Sequence, residues 1–123
     1  MYLLDSNILI YSARAEFASL RNYFTSDTIF SAVSVATVIE VLGFHRLTPE
    51  DKLYFESCIA LMQVIEVTQP IAAKAVELRQ RQKLSLGDAI IAATALVHDC
   101  ELITRNIGDF EAIPNLKLVN PFS

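Results

Sequence analysis

The sequence has little that would mark a secreted or membrane protein. Its two cysteines, Cys58 and Cys100, stand alone rather than in a Cys-x-x-Cys pair. Isolated cysteines of this kind are typical of reduced thiols in a cytosolic protein, although the spacing leaves a disulfide between them open. There is no basic leader, and no apolar run approaches the roughly 18 uncharged residues of a membrane helix. We therefore expect a soluble, cytoplasmic protein with no membrane segment.

Positive charge is also scarce. Lys and Arg number 10 against 14 Asp and Glu, for a net charge of -4. The net charge therefore argues against bulk attraction to nucleic acid, and we expect any binding to RNA to use a local basic surface. The 123 residues, 53% hydrophobic and 20% charged, are typical of one globular domain over residues 1–123, with a sizeable core.

Short apolar runs alternate with helical patterns along the whole chain. The runs predict buried strands at 2–4, 29–33, 64–67, 102–104 and 116–119. The segments between them predict helices at 6–12, 16–24, 35–43, 48–61, 69–82 and 88–98, with Ser34 and Thr48 as helix caps. This alternation is typical of the α/β class: one doubly wound parallel sheet of about five strands, with helices on both faces.

The segment from Ser85 to Phe110 should be the centre of the domain. Its helix is apolar or small on almost every side, and from Asp88 to Val97 the only other polar group is Thr94. A helix without a polar stripe packs deep inside a protein, so we expect this one to lie against the sheet. Asp88 stands at its start, and Asp109 follows the next strand.

Four acidic residues do not fit a solvated surface. Asp5 and Asp109 follow predicted strands one and four, and they face one crevice if the strand order reverses between those strands. Glu40 is the one charge in its helix, an apolar setting that would force it to pair with a cation or to protonate. Asp88 begins the buried helix.

Each of the four also has a simpler structural explanation. Asp5 could cap the following helix, Asp88 could complete a cap with Ser85, Glu40 could pair with an arginine, and Asp109 could stabilise a turn. As a group they favour a metal site, because like charges in one crevice destabilise a fold unless divalent cations lie among them. Oxygen ligands suit Mg²⁺ or Mn²⁺.

Four segments of the chain resemble the four motifs of PIN-domain ribonucleases, most closely the VapC-type toxins of prokaryotic toxin–antitoxin pairs. The resemblance covers essentially the whole chain, in the same order. The segments are Asp5-Ser6-Asn7, Ser34-x-x-Thr37-x-x-Glu40, Asp88-Ala-Ile-Ile-Ala-Ala-Thr and Thr104-Arg-Asn-Ile-Gly-Asp109-Phe.

The resemblance implies an Mg²⁺- or Mn²⁺-dependent endoribonuclease that uses a metal-activated water. Its catalytic and metal-binding acids would be Asp5, Glu40, Asp88 and Asp109. The supporting polar residues would be Ser6, Asn7, Thr104 and Asn106. The implied partners are an RNA substrate, a small cognate antitoxin and a second copy of the chain in a homodimer.

Two surfaces would serve these partners. A basic rim for RNA would consist of Arg79, Arg81, Lys83 and Arg105, although a solvated helix face is the better explanation of the first three. A dimer face would consist of Ile8, Tyr11, Tyr23 and Phe24, for which ordinary core packing is the alternative.

Other functions fit the residues less well. A haloacid-dehalogenase-like phosphatase would need an acid where Asn7 stands, and a response-regulator receiver would need an acid pair near the first strand. An RNA-processing PIN nuclease without an antitoxin, or a non-catalytic RNA-binding PIN domain, remains open.

Overall fold

The computed structural model, which describes residues 1–122, has one sheet of five parallel strands. The strands are β1 (Tyr2–Leu4), β2 (Ser31–Ser34), β3 (Gln63–Ile65), β4 (Glu101–Ile103) and β5 (Lys117–Val119). Their order across the sheet is β3-β2-β1-β4-β5, with every neighbouring pair parallel. The order reverses between β1 and β4, so the predicted doubly wound α/β fold is confirmed.

Helices cover both faces of this sheet. They are α1 (Ser6–Ser12), a 3-10 helix (Ala15–Arg21), α2 (Asn22–Thr25), α3 (Val35–Leu42), α4 (Pro49–Ala60), α5 (Gln69–Arg81), α6 (Leu86–His98) and α7 (Ile107–Phe110). Successive strand side chains point to opposite faces. Leu3 accordingly packs into one core with α5 and α6, while Leu4 packs into a second core with α1, α3 and α4.

Helix α6 is the most deeply buried helix segment among the described residues. All residues from Ile91 to Ala95 are buried, as is Ala89, and the helix packs mainly against α5. The Ser85 hydroxyl caps its start by accepting a hydrogen bond from the Asp88 N–H at 3.1 Å. The burial expected from the missing polar stripe is confirmed.

Some predicted boundaries are wrong. Strand β2 begins at Ser31 rather than at 29, because its pairing with β1 starts where Tyr2 lies opposite Ser31. The predicted helix 16–24 is a 3-10 helix followed by the short α2, since Phe17 leaves helical geometry at φ -114° and ψ 25°. Helix α7 was not predicted, because four residues are too few to show a period.

The dimer face predicted on the first two helices is not an exposed surface. Ile8 and Phe24 are buried in the second core, and Tyr11 and Tyr23 are half-buried against it. The apolar residues at helical spacing therefore belong to the core, which was the alternative explanation that the sequence left open. No helix within residues 1–122 has the length and apolarity needed to span a membrane.

Candidate functional site

The four acidic residues come from four elements that meet where the strand order reverses. Asp5 follows β1, Glu40 lies in α3, Asp88 in the first turn of α6 and Asp109 in α7. The backbone fixes the position of Asp5, since its N–H donates to the Ile103 carbonyl of β4 at 3.0 Å. Mutual repulsion links the set: Asp88 and Glu40 act on Asp5, and Asp109 and Glu40 act on Asp88.

Asp5 is the buried member of the group. Its side chain accepts the Thr104 hydroxyl at Oδ2 and the Ser6 N–H at Oδ1, both at 2.7 Å. Burial raises the pKa of Asp5 to about 6; the two hydrogen bonds act against this rise, and the charges of Asp88 and Glu40 add to it. The Asp5 side chain caps helix α1, as the simpler explanation predicts. A helix cap does not need to be buried, however, so capping alone does not explain why the carboxyl group lies where burial raises its pKa.

Glu40 is exposed, so the expectation of an apolar setting that forces a cation partner or protonation is wrong. The face of α3 that carries Glu40 faces solvent instead of the core. The Ser6 hydroxyl donates to Glu40 Oε1 at 2.9 Å, while the Ser6 N–H holds Asp5. Ser6 thus connects the first two carboxylates.

Gly87 provides the space in which the Glu40 carboxylate lies. A Cβ atom added at Gly87 would stand 3.1 Å from Glu40 Oε2 and 3.3 Å from Oε1. The sequence analysis missed this residue. One sequence feature could have revealed it: a glycine stands immediately before Asp88, in the first turn of a strongly helical segment. A better helix former would be expected at this position.

Asp88 and Asp109 face each other across a cleft of about 350 Å³, together with Lys83, Ser85 and Gly108. Burial raises the pKa of Asp88, the Ser85 contact lowers it, and the charges of Asp109 and Glu40 raise it further. Asp109 is exposed, and its backbone N–H donates to the Asn106 carbonyl at 3.1 Å.

The chemistry of these donors fits a hard divalent cation. Carboxylate oxygens form the set, and two other acids of the group repel each of Asp5 and Asp88, a repulsion that a cation would relieve, although burial is the larger cause of their raised pKa values. In the described part of the chain, no group of three or more acidic, His or Cys side chains is close enough to surround an ion.

The polar residues beside the acids differ in what they do. Thr104 holds Asp5 and also accepts the Asn106 N–H at 3.0 Å. Asn106 reaches this network through its backbone. Asn7 has a buried side-chain oxygen, Oδ1, with no hydrogen-bond partner among residues 1–122.

The basic residues predicted for RNA do not form one rim. Arg81 pairs with Glu77 at 3.0 Å, and the Arg79 Nε donates to the Leu84 carbonyl at 3.2 Å, so both are engaged within the protein. Lys83 lines the cleft beside Asp88 and Asp109. Arg105 lies on the other side of the site, against aromatic rings.

Replacing Gly87 with Ala should lower RNA cleavage by about 10-fold, because the Glu40 carboxylate must move by a few tenths of an ångström and catalysis is sensitive to such displacements. The free energy of unfolding should stay equal or rise, since Ala favours helix. Gly108→Ala is the control, because its added methyl group meets nothing within 4 Å. Cleavage rates and urea unfolding of both variants test this expectation. Equal effects from the two substitutions would contradict it.

Comparisons with known proteins agree with this architecture. The sequence matches the PIN domain family over residues 2–116. Ribonuclease VapC10 of Mycobacterium tuberculosis is 32% identical, over 95% of this chain and 91% of the relative. A chain of a solved toxin–antitoxin complex from Klebsiella pneumoniae is 36% identical, with a TM-score of 0.78 and 98% of each chain covered. VapBC2 from Rickettsia felis, bound to a DNA fragment from its promoter, shares the fold at 21% identity, with a TM-score of 0.82 over 97% of each chain.

This chain belongs to the PIN-domain family. Its relatives within that family are VapC ribonucleases, so the resemblance seen in the four sequence motifs is confirmed.

Proposed function

We propose that this chain is the ribonuclease toxin of a toxin–antitoxin pair and that its cleavage of RNA depends on Mg²⁺ or Mn²⁺. The observation that supports the proposal is that Asp5, Glu40, Asp88 and Asp109 lie around the point where the strand order reverses, each within electrostatic reach of at least one other. Open α/β sheets bind their ligands at this place. The similarity to Ribonuclease VapC10 supplies the class of reaction.

The four carboxylates are the proposed ligands. When bound, Mg²⁺ or Mn²⁺ supplies an activated water and neutralises charge on the phosphate, so no nucleophilic side chain is needed. The protein's own part is to hold the ligands in place. Thr104 and the Ser6 N–H orient Asp5, the Ser6 hydroxyl orients Glu40, and the Ser85 cap positions the first turn of α6 that carries Asp88.

An RNA cleavage assay tests this function. The purified protein should cut RNA with Mg²⁺ or Mn²⁺ and lose that activity in EDTA, and sequencing of RNA 5′ ends should show discrete cuts. In the absence of RNA, Mg²⁺ should raise the melting temperature, because a cation relieves the repulsion among the acids. RNA binding without any cleavage would support the non-catalytic PIN domain instead.

The expected antitoxin has a candidate binding surface in a groove of about 420 Å³ between α1, α3 and α4. Apolar side chains, including Val41, Phe44 and Phe55, line it together with two acidic residues, Glu40 and Asp51, and one basic residue, Arg14. This lining suits a segment that combines apolar anchors with an Arg or Lys, which would reach Glu40 and exclude RNA. A homodimer also remains part of the proposal, with no face assigned to it.

A further inference from the structure

Two arginines contact one tyrosine ring beside the candidate site. The Arg105 guanidinium carbon lies 4.9 Å from the centre of the Tyr11 ring and 4.4 Å from that of Phe122. The guanidinium carbon of Arg14 lies 5.4 Å from the Tyr11 ring. Phe17 completes the support, because the Tyr11, Phe17 and Phe122 rings meet edge to face at 5.2–5.4 Å.

The charges of these two arginines are available to a ligand. The ion pairs within residues 1–122 are Lys74–Glu77, Arg81–Glu77 and Lys117–Asp99, and neither Arg14 nor Arg105 takes part in one. Both arginines are exposed. A guanidinium that contacts an aromatic face keeps its N–H edge free, and its position is fixed before a ligand arrives.

The location of the pair connects it to the site. Arg105 directly follows Thr104, whose hydroxyl holds Asp5. Arg14 lines the groove that also contains Glu40. The two positive charges therefore flank the acids on the α1 side, while Lys83 flanks them beside Asp88 and Asp109. In a chain of net charge -4, a local cluster of this kind meets the need for a basic surface.

We propose that Arg14 and Arg105, held by the rings of Tyr11 and Phe122, form a subsite for the backbone phosphates of single-stranded RNA next to the scissile bond. The inference rests on the proposed ribonuclease function. Guanidinium edges match phosphate oxygens bidentately, and their planes stack on unpaired bases. A duplex offers no unstacked bases to such a surface, so the subsite favours single strands. Arg14 and Arg105 are positioning residues, which hold the strand while the acids carry the chemistry.

Substitutions that remove the charges test the proposal directly. Arg14→Gln with Arg105→Gln should raise KM for a short single-stranded RNA by about 10- to 100-fold and lower kcat much less. The slope of log Kd against log salt concentration should fall by about 1.4, as two lost phosphate contacts on a single strand require. Binding is measured in EDTA by fluorescence anisotropy of labelled RNA. Lys117→Gln is the matched control, because Lys117 lies at the amino end of β5, away from the site.

Two further variants separate orientation from charge. Phe122→Leu keeps both arginines but removes a ring, so affinity should fall by a few-fold with the salt slope nearly unchanged. Arg105→Lys should likewise keep the salt slope and lose affinity, because an ammonium lacks the planar fork. Circular dichroism confirms that each variant folds.

The possible outcomes test the subsite separately from the proposed ribonuclease function on which it rests. Wild-type protein that binds RNA without cleaving it would contradict the proposed function and leave the subsite standing. Wild-type protein that cleaves RNA, with the KM and salt slope of the double variant unchanged, would overturn the subsite alone. Loss of antitoxin binding with unchanged RNA affinity would assign the two arginines to the protein partner and overturn it as well.

Discussion

Asp5→Asn should abolish RNA cleavage and yet make the metal-free protein more stable. Cleavage should fall by more than about 100-fold, because changes next to metal ligands already cost 10- to 100-fold. Burial raises the pKa of Asp5 from 3.8 to about 6, which corresponds to an ionisation cost of at most about 3 kcal/mol at pH 7. Asn has the same shape, and its oxygen can still accept the Ser6 N–H. We expect a gain of about 1–2 kcal/mol in the free energy of unfolding, since the contact with Thr104 becomes weaker.

The gain should depend on pH in a direction that identifies its cause. A carboxyl group whose pKa is raised in the folded state binds more protons there than in the unfolded chain between pH 3.8 and about 6. Its cost to stability is therefore complete above pH 6 and disappears as the pH falls toward 4. The advantage of Asp5→Asn over the wild type should be present at pH 7.5 and vanish near pH 4.

Urea unfolding in EDTA across this pH range measures the effect. Saturating Mg²⁺ should stabilise the wild type and not the variant. Expression of the wild type alone should arrest growth, and expression of the variant should not. An unfolded variant, or one destabilised equally at every pH, would show that Asp5 is chiefly a helix cap. If the intact protein cleaves RNA but its expression does not affect growth, the proposed ribonuclease activity stands and the proposed role as a toxin is contradicted.

Phe44→Glu should weaken binding of the antitoxin by about 30-fold or more. Phe44 is 53% exposed and lines the apolar groove that leads to Glu40, so it is placed to be an anchor of the interface. Losing an aromatic anchor costs 2 kcal/mol or more, and a carboxylate facing apolar side chains must also be desolvated. Because Phe44 is largely exposed, the fold should tolerate the change.

Phe30→Glu is the control, because Phe30 is 76% exposed and lies just before β2. This position is at the amino ends of the parallel strands, whereas Asp5 lies at their carboxyl ends. Calorimetric titration of each variant with the cognate antitoxin, once it has been identified as a small neighbouring reading frame, provides the measurement. RNA cleavage by the Phe44→Glu variant should also persist at antitoxin concentrations that inhibit the wild type completely. If both substitutions weaken binding equally, or neither does, the inhibitor does not use this groove.

The sequence by itself determined the class of fold and most of the secondary structure, apart from some boundaries, the 3-10 helix and α7. Apolar runs and helical periods are local signals, and so are caps: the side chains of Ser34 and Thr48 accept hydrogen bonds from Ala36 and Asp51, as their positions predicted. The alternation of strands and helices left few topologies other than a parallel sheet. The same pattern placed Asp5 at the end of a strand, so the neighbourhood of the site followed from the order of elements.

Only the tertiary structure decided how the site is built. Thr104 holds Asp5 from 99 positions away, Gly87 makes room for Glu40, and Phe122 meets Arg105 only because the end of the chain returns to α1. Periodicity carries no information about such pairs, because it reports which face of one element is apolar and not what packs against it. The exposure of Glu40 was misjudged, and the burial of Ile8 was left undecided, for this reason: each depends on a neighbouring element that lies far along the chain.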